Sequence, residues 1–296
     1  MIALLMALSL AIADPYVLVL GVSQDAGHPQ AGCEKSCCAA AWDDLAKRHH
    51  ASSIAVVDPE SDQRWVFDVT PHYPDQARRL SAASPGPLSG VLLTHAHIGH
   101  YVGLVHLGPE VMNTKQVPLW LMPRMLGFIS GNEPWNTLIT SGNVVPKPLV
   151  DGQAIQLNAR ISVTPIAVPH RDELSETVGF VVTGPSRSVL YLPDIDKWEQ
   201  WDTRIEDWIE KVDIAMLDAA FYADGELPGR DMSKIPHPFI SESMARFAPL
   251  SAEKRARVRF THMNHTNPAL DPESEASAAI TKAGMAVAVE GDRYPL

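Results

Sequence analysis

Short apolar or β-branched runs, each bounded by Gly, Pro, Asp or Ser, occur at residues 16–21, 54–57, 65–69 and 91–93 and predict strands. A second series at 159–167, 177–182, 188–192, 214–217, 257–260 and 285–289 has the same character. Between them, mixed polar and apolar spacing at 75–80, 99–107, 203–209, 240–248 and 272–283 fits amphipathic helices. No repeat recurs and no linker stands out, so the pattern predicts one layered α/β domain over residues 14–296. Residues 222–238 and 122–135 read as long loops that would wall a cleft. Ahead of the first strand, the run from Met1 to Ala13 is apolar except for Ser9 and ends Ala11-Ile12-Ala13. It is shorter than the roughly 20 residues a membrane span needs and reads as a secretory signal peptide, so a periplasmic or secreted location and no stable membrane insertion are expected; the alternative is a buried first strand and a cytoplasmic location.

Composition narrows the function. With 24 Lys+Arg against 35 Asp+Glu, the formal charge of −11 argues against a phosphate-backbone footprint, so a small-molecule substrate is expected and no nucleic acid. The three cysteines, Cys33, Cys37 and Cys38, lie within six positions, a poor disulfide framework that suits a metal better. No phosphate-binding loop, serine nucleophile elbow or dinucleotide fingerprint is present.

The chemistry concentrates where the apolar run ending at Leu93 meets Thr94-His95-Ala96-His97-Ile98-Gly99-His100. Neutral imidazoles at spacings of two and three, in a segment turning from strand into helix, match what zinc and other borderline cations take. Three later segments repeat the arrangement of a His or Asp just past an apolar run: His170, Asp194 and His262. Asp68, closing 65–68, is expected to accept hydrogen bonds from the ligand loop. His28 reads as a satisfied loop histidine, His106 as a surface or packing residue, and His49 with His50 as a solvated polar stretch. Trp120, Trp135, Trp198 and Trp201 are expected in the core or on the cleft wall.

In its order His-x-His-x-x-His, lone His, Asp, final His, the chain resembles the metallo-β-lactamase fold superfamily. The resemblance implies a four-layer αββα sandwich with a one- or two-metal site at one edge. It makes His95, His97 and His170 the first ion's ligands, Asp194 the bridge, and His100 with His262 the second ion's ligands; Asp194, His262 and His100 would also carry catalysis. The motif's usual Asp is Gly99 here, which leaves the second position with His100, Asp194 and His262. Asp172 and Glu173 read as solvated loop carboxylates rather than substitutes.

The turn Ser23-Gln24-Asp25-Ala26-Gly27-His28-Pro29 leading to the cysteines resembles one branch of that superfamily, which holds pyrroloquinoline quinone biosynthesis protein B and a cyclic phosphodiesterase. That branch implies a structural zinc on Cys33, Cys37, Cys38 and His265, although the C-x3-C-C spacing departs from its pattern and makes one of Cys37 and Cys38 a candidate bystander. The expected cofactors are zinc in one or two catalytic positions, with iron or manganese as alternatives there, and one structural zinc. The implied activity is metal-dependent hydrolysis of an ester or phosphodiester bond, the rival being an iron-dependent oxygenase or redox step on a quinone precursor.

Overall fold

The computed structural model describes residues 14–296; the segment read as a signal peptide, Met1 to Ala13, lies outside them. Fourteen strands form two sheets among the described residues. The first runs in chain order through β1 (Tyr16–Gly21), β2 (Ser53–Asp58), β3 (Gln63–Phe67), β4 (Leu88–Leu92), β5 (Val117–Leu121) and β6 (Val144–Pro148). The second holds β7 (Ile155–Gln156), β8 (Ser162–Ala167), β9 (Val178–Thr183), β10 (Ser188–Leu192), β11 (Ile214–Asp218), β12 (Val258–Thr261) and β13 (Ala286–Val287), while β14 (Arg293–Pro295) returns to pair with β1.

Side chains of one strand alternate between two cores. Val17, Val19, Ile54, Val56, Trp65 and Phe67 point between the sheets, where Phe67 meets Phe180 edge-on at 5.3 Å. Leu18, Leu20, Ala55, Val57 and Val66 point the other way, beneath the helices at Tyr73–Ala83 and Pro123–Gly131. Both faces of the strands are dry, which is why they read as continuous apolar runs. Helices Ile205–Lys211, Ile240–Phe247 and Glu275–Lys282 cover the second sheet through Ile205, Ile209, Ile240, Phe247 and Ile280. The result is the four-layer αββα sandwich, one domain.

Several expected elements shift. Residues 122–135, expected as a loop, form the Pro123–Gly131 helix, with Met125 and Ile129 buried. The expected helix 99–107 is a four-residue turn, Ile98–Tyr101, continued as a 3-10 segment to Leu107. Strands β5 and β6 carried no strand signal because Pro118, Pro146 and Pro148 interrupt them. No helix among the described residues is long and apolar enough to cross a membrane.

Strand direction places the site. β3, β4, β5 and β6 are parallel, as are β10, β11, β12 and β13, so their C-terminal ends share one edge of the sandwich. Ligand sites of parallel sheets form at that edge because successive chain exits collect there.

Candidate metal centre

Each site residue leaves the end of a strand: Asp68 after β3, His95 to His100 after β4, His170 after β8, Asp194 after β10, Asp218 at the end of β11 and His262 after β12. The two sheets are tied at this edge by the Val178 N–H, which donates to Thr94 O at 3.1 Å, and the Ala96 N–H, which donates to Ser175 Oγ at 2.9 Å. Asp68 and His262 both sit at φ 63°, a left-handed conformation costing a non-glycine residue roughly 1 kcal/mol or more, and the packed surroundings hold them there.

Four donors meet at the first position. His95 Nε2 lies 2.9 Å from His97 Nδ1, which lies 3.3 Å from His170 Nε2. Asp194 reaches His95 Nε2 through Oδ2 and His170 Nε2 through Oδ1, each at 3.2 Å. Ligands about 2.0–2.1 Å from a tetrahedral ion stand about 3.3 Å apart, so the spacing fits zinc or a similar ion. The outer hydrogen bonds set the tautomers. His95 Nδ1 donates to Thr94 Oγ1 at 2.9 Å, Thr94 Oγ1 donates to Asp68, and His170 Nδ1 donates to Asp196 Oδ1 at 3.1 Å, which leaves both Nε2 lone pairs facing inward. Burial holds His95 well below the usual histidine range and takes His97 down to about 4, so both rings stay neutral and ready to ligate at pH 7.

The second position differs from the expectation. His100, His262 and Asp194 are there, and the fourth donor is Asp25, which the sequence reading did not single out. Asp25 Oδ1 lies 3.2 Å from His100 Nε2 and 3.6 Å from His262 Nε2, and Asp194 Oδ2 lies 3.7 Å from each ring. Asp172 pairs with Arg124, and the exposed Glu173 comes only within 4.0 Å of His97 Nε2; neither joins the position. Asp68 accepts from His100 Nδ1 at 2.8 Å, as well as from Thr94, in the orienting role expected of it. Burial would lower His100, but the charges of Asp68 and Asp25 outweigh it and take the ring up to about 9.

Two further residues belong to the site. Asp218 Oδ2 accepts from His237 Nδ1 at 2.8 Å, and that nitrogen is 3.2 Å from Asp194 Oδ1. Burial lowers His237, yet the two carboxylates prevail and raise it. Asp218 closes its apolar strand as Asp194 closes β10, a signal in the sequence that went unused. His237, inside the 222–238 loop, has no such signal.

The cysteine cluster forms as the resemblance implied. Cys33, Cys37, Cys38 and His265 place one donor atom each within 4.8 Å of one another. Cys38 Sγ lies 3.3 Å and Cys37 Sγ 3.7 Å from His265 Nδ1, and Cys33 Sγ lies 3.8 Å from Cys37 Sγ. The last distance matches the roughly 3.8 Å between thiolates about 2.3 Å from a tetrahedral zinc. Neither Cys37 nor Cys38 is a bystander in this geometry, because both begin the helix Ser36–Asp43 and both face His265. His28 is the satisfied loop histidine expected, its Nε2 donating to Cys37 O at 2.7 Å. His50 is not solvated, since its Nδ1 pairs with the buried Glu290 at 2.8 Å. Trp198 is in the core, and no tryptophan lines the cavity described next.

Between the two centres lies a cavity of about 330 Å³, lined by both His237 and His265. Leu227, Arg230, Ile235 and Pro236 bring the 222–238 loop to its wall, as expected of that loop; the Pro123–Gly131 helix does not line it. Its charged lining is Arg171 and Arg230, with no Asp or Glu, in a chain that is otherwise acidic.

Residues 56–289 match the family described as the β-lactamase superfamily domain. The chain belongs to that superfamily. It is 26% identical over 306 residues to coenzyme PQQ synthesis protein B of Xanthomonas euvesicatoria, covering 93% of this chain and 98% of that one. The protein of the same name from a Methylobacterium species is 24% identical, covering 93% and 97%. Among solved structures, Zn2+-bound PqqB from Methylobacterium extorquens superposes with a TM-score of 0.79 at 22% identity over 95% of this chain and 100% of that one. A diphosphatase of the PhnP family gives 0.68 at 21% identity over 96% and 98%. These likenesses place the chain in the metallo-β-lactamase fold, beside PqqB and PhnP-type proteins.

Proposed function

We propose that this protein is a metal-dependent hydrolase of an anionic ester, of the phosphodiester class. The observation that carries the reading is the set of donor groups that share Asp194, beside a cavity lined by two arginines, Arg171 and Arg230, and by no Asp or Glu. His95, His97, His170 and Asp194 would hold the first ion and Asp194, His100 and His262 would take part in holding a second, zinc fitting the donor set and iron or manganese being alternatives. The buried orphan atoms support this. Asp25 Oδ1, His100 Nε2, Asp194 Oδ1 and both ring nitrogens of His262 have no hydrogen-bond partner although buried, a costly arrangement unless a cation satisfies them. A divalent ion there supplies Lewis acidity and an acidified water.

The chain's own residues supply the rest. Arg171 and Arg230 bind the substrate's charge and set its direction against the site. Asp194 orients the nucleophile. His237 protonates the leaving group, because Asp218 secures Nδ1 and leaves Nε2 as the nitrogen free for exchange, and the neighbouring carboxylates raise its affinity for a proton. The sequence had put His100 and His262 in that acid role, but their Nε2 atoms converge with the donor group around Asp25. A structural zinc on Cys33, Cys37, Cys38 and His265 fastens the first loop to the last.

The test is hydrolysis of bis(p-nitrophenyl) phosphate by zinc- or manganese-loaded protein, beside metal analysis. Alanine at His95 and His97 is expected to remove both the first ion and turnover; unchanged metal content and rate would end the reading. A second reading, an iron-dependent redox step on a quinone precursor, is favoured by the end-to-end likeness to proteins named coenzyme PQQ synthesis protein B. Iron in the histidine centre with oxygen uptake would support it, and zinc without uptake would dismiss it. The reading includes export, which N-terminal sequencing of a mature protein starting at Asp14 would test.

A further inference from the structure

The residue that completes the second position sits 74 places upstream of the position where the family motif carries its carboxylate. The reason lies in Gly99. It belongs to the short helical turn Ile98–Tyr101 and does not have a positive φ, so glycine is not required there for backbone freedom; in a helix it is disfavoured relative to alanine. What it provides is space. A Cβ at position 99 would stand less than 3.0 Å from the Oδ1, Cα and Cβ atoms of Asp25, closer than real Cβ atoms approach a neighbour, and two of those atoms cannot swing aside without moving the loop.

The loop itself is fixed beside His262. The Gln24 N–H donates to Met263 O and the Met263 N–H to Val22 O, each at 2.8 Å, so residues 22–24 run alongside the segment that carries His262. Asp25 is delivered from that pairing into the gap over Gly99. Its Oδ1 comes within 3.2 Å of His100 Nε2 without forming a hydrogen bond, and both atoms are buried and unpartnered, so they face a common point rather than each other. Two buried donors that approach but do not bond have the arrangement of ligands around a cation.

We propose that Asp25 and Gly99 are a compensating pair: the carboxylate lost from the motif has been replaced across space by Asp25, and the glycine exists to admit it, so that the histidine centre takes up two divalent ions. The inference rests on the metal-binding part of the reading above and is independent of which bond is cleaved.

The experiment is titration of the metal-free full-length protein with Co2+, followed by elemental analysis after gel filtration. Thiolate-to-cobalt absorption separates the cysteine cluster from the histidine centre. Wild type is expected to take two ions in the histidine centre. Asp25→Asn, which keeps shape and removes charge, is expected to weaken the second by at least about 100-fold while the first is unchanged, since displacing even a residue that only supports a ligand costs 10–100-fold. Gly99→Ala, which removes no donor, is expected to lose the second ion as well by pushing the loop away. Far-ultraviolet circular dichroism and retention of the first ion confirm that each variant is folded; if Gly99→Ala does not fold, Asp25→Asn alone decides. Two ions retained at wild-type affinity in Asp25→Asn would overturn the inference, as would a single ion in wild type. A wild-type histidine centre that takes no ion would instead sink the proposed function, and two ions with no hydrolysis would leave this inference standing while refuting only the hydrolase.

Discussion

The histidine centre and the cysteine cluster are joined twice, by the loop from Asp25 to Cys33 and by the short step from His262 to His265, yet they are built differently. In the histidine centre, inward-facing rings are backed by carboxylates, Asp68 behind His100 and Asp196 behind His170, and Asp218 backs the neighbouring His237. In the cysteine cluster the surrounding hydrogen bonds involve backbone: His28 donates to Cys37 O and Trp42 Nε1 donates to Cys33 O at 2.7 Å. Outer carboxylates orient and tune a ligand whose metal must exchange its remaining positions with a reactant. Three thiolates and an imidazole with backbone support close a four-coordinate site completely and serve as a fastener. On the proposed function, the contrast teaches that ligand count alone does not separate a reactive centre from a structural one; what stands behind the ligands does.

The sharpest break of that contrast is the double substitution His95→Ala and His97→Ala. It is expected to abolish hydrolysis to the detection limit and remove the first ion while the cluster keeps its zinc, measured by elemental analysis and the thiolate absorption. Loss of all metal from this variant would mean that the two centres do not fill independently. His237→Gln should lower kcat about 100-fold or more with metal content intact, because a positioned acid contributes roughly 10²–10⁴; equal loss of kcat and metal would reassign the residue to ligation. Asp68→Asn keeps every ligand and should weaken metal binding by roughly 10–100-fold, read by competition with a chromophoric chelator.

Cys33→Ser with Cys38→Ser should act on stability instead. Losing about 2 kcal/mol of support would lower Tm by roughly 3–4 °C in a domain of this size, and turnover at 25 °C should fall less than tenfold. A loss of activity as large as in the histidine variants would show that the cluster is part of the reactive site.

Acid should separate the centres as well. Burial pushes the Cys38 thiol up to about 12 and raises Cys37, so without metal both carry protons at neutral pH and zinc must displace them. Cluster affinity therefore falls about tenfold per pH unit for each proton displaced as pH drops. His95 and His97, the latter at about 4, hold no proton to displace between pH 8 and 5, so their part of the first position is insensitive there. His100, at about 9, should make second-position affinity rise with pH up to that value. Zinc release followed with a chromophoric chelator should show the cluster and the second position emptying before the first.

The fold and most ligands were legible because each depends on something local. A strand buried on both faces must be apolar throughout, so 16–21 and 188–192 appear in the sequence with their observed ends, and a ligand at a strand's exit leaves a His or Asp just after such a run, as at His95, Asp194 and His262. The clustered cysteines were legible for the same reason. β5 and β6 were hidden because their prolines read as breaks in short runs, whereas β8 kept its strand signal despite Pro165 because the run around it is longer. What only tertiary structure decided is which distant side chain fills a gap. Gly99 reads as a lost ligand, and Asp25 as an ordinary turn residue, until β1 and β12 bring their exits together and the space above the glycine is seen to hold the carboxylate. Local patterns are set by burial along one element, whereas a position where several chain segments converge is set by the packing of all of them.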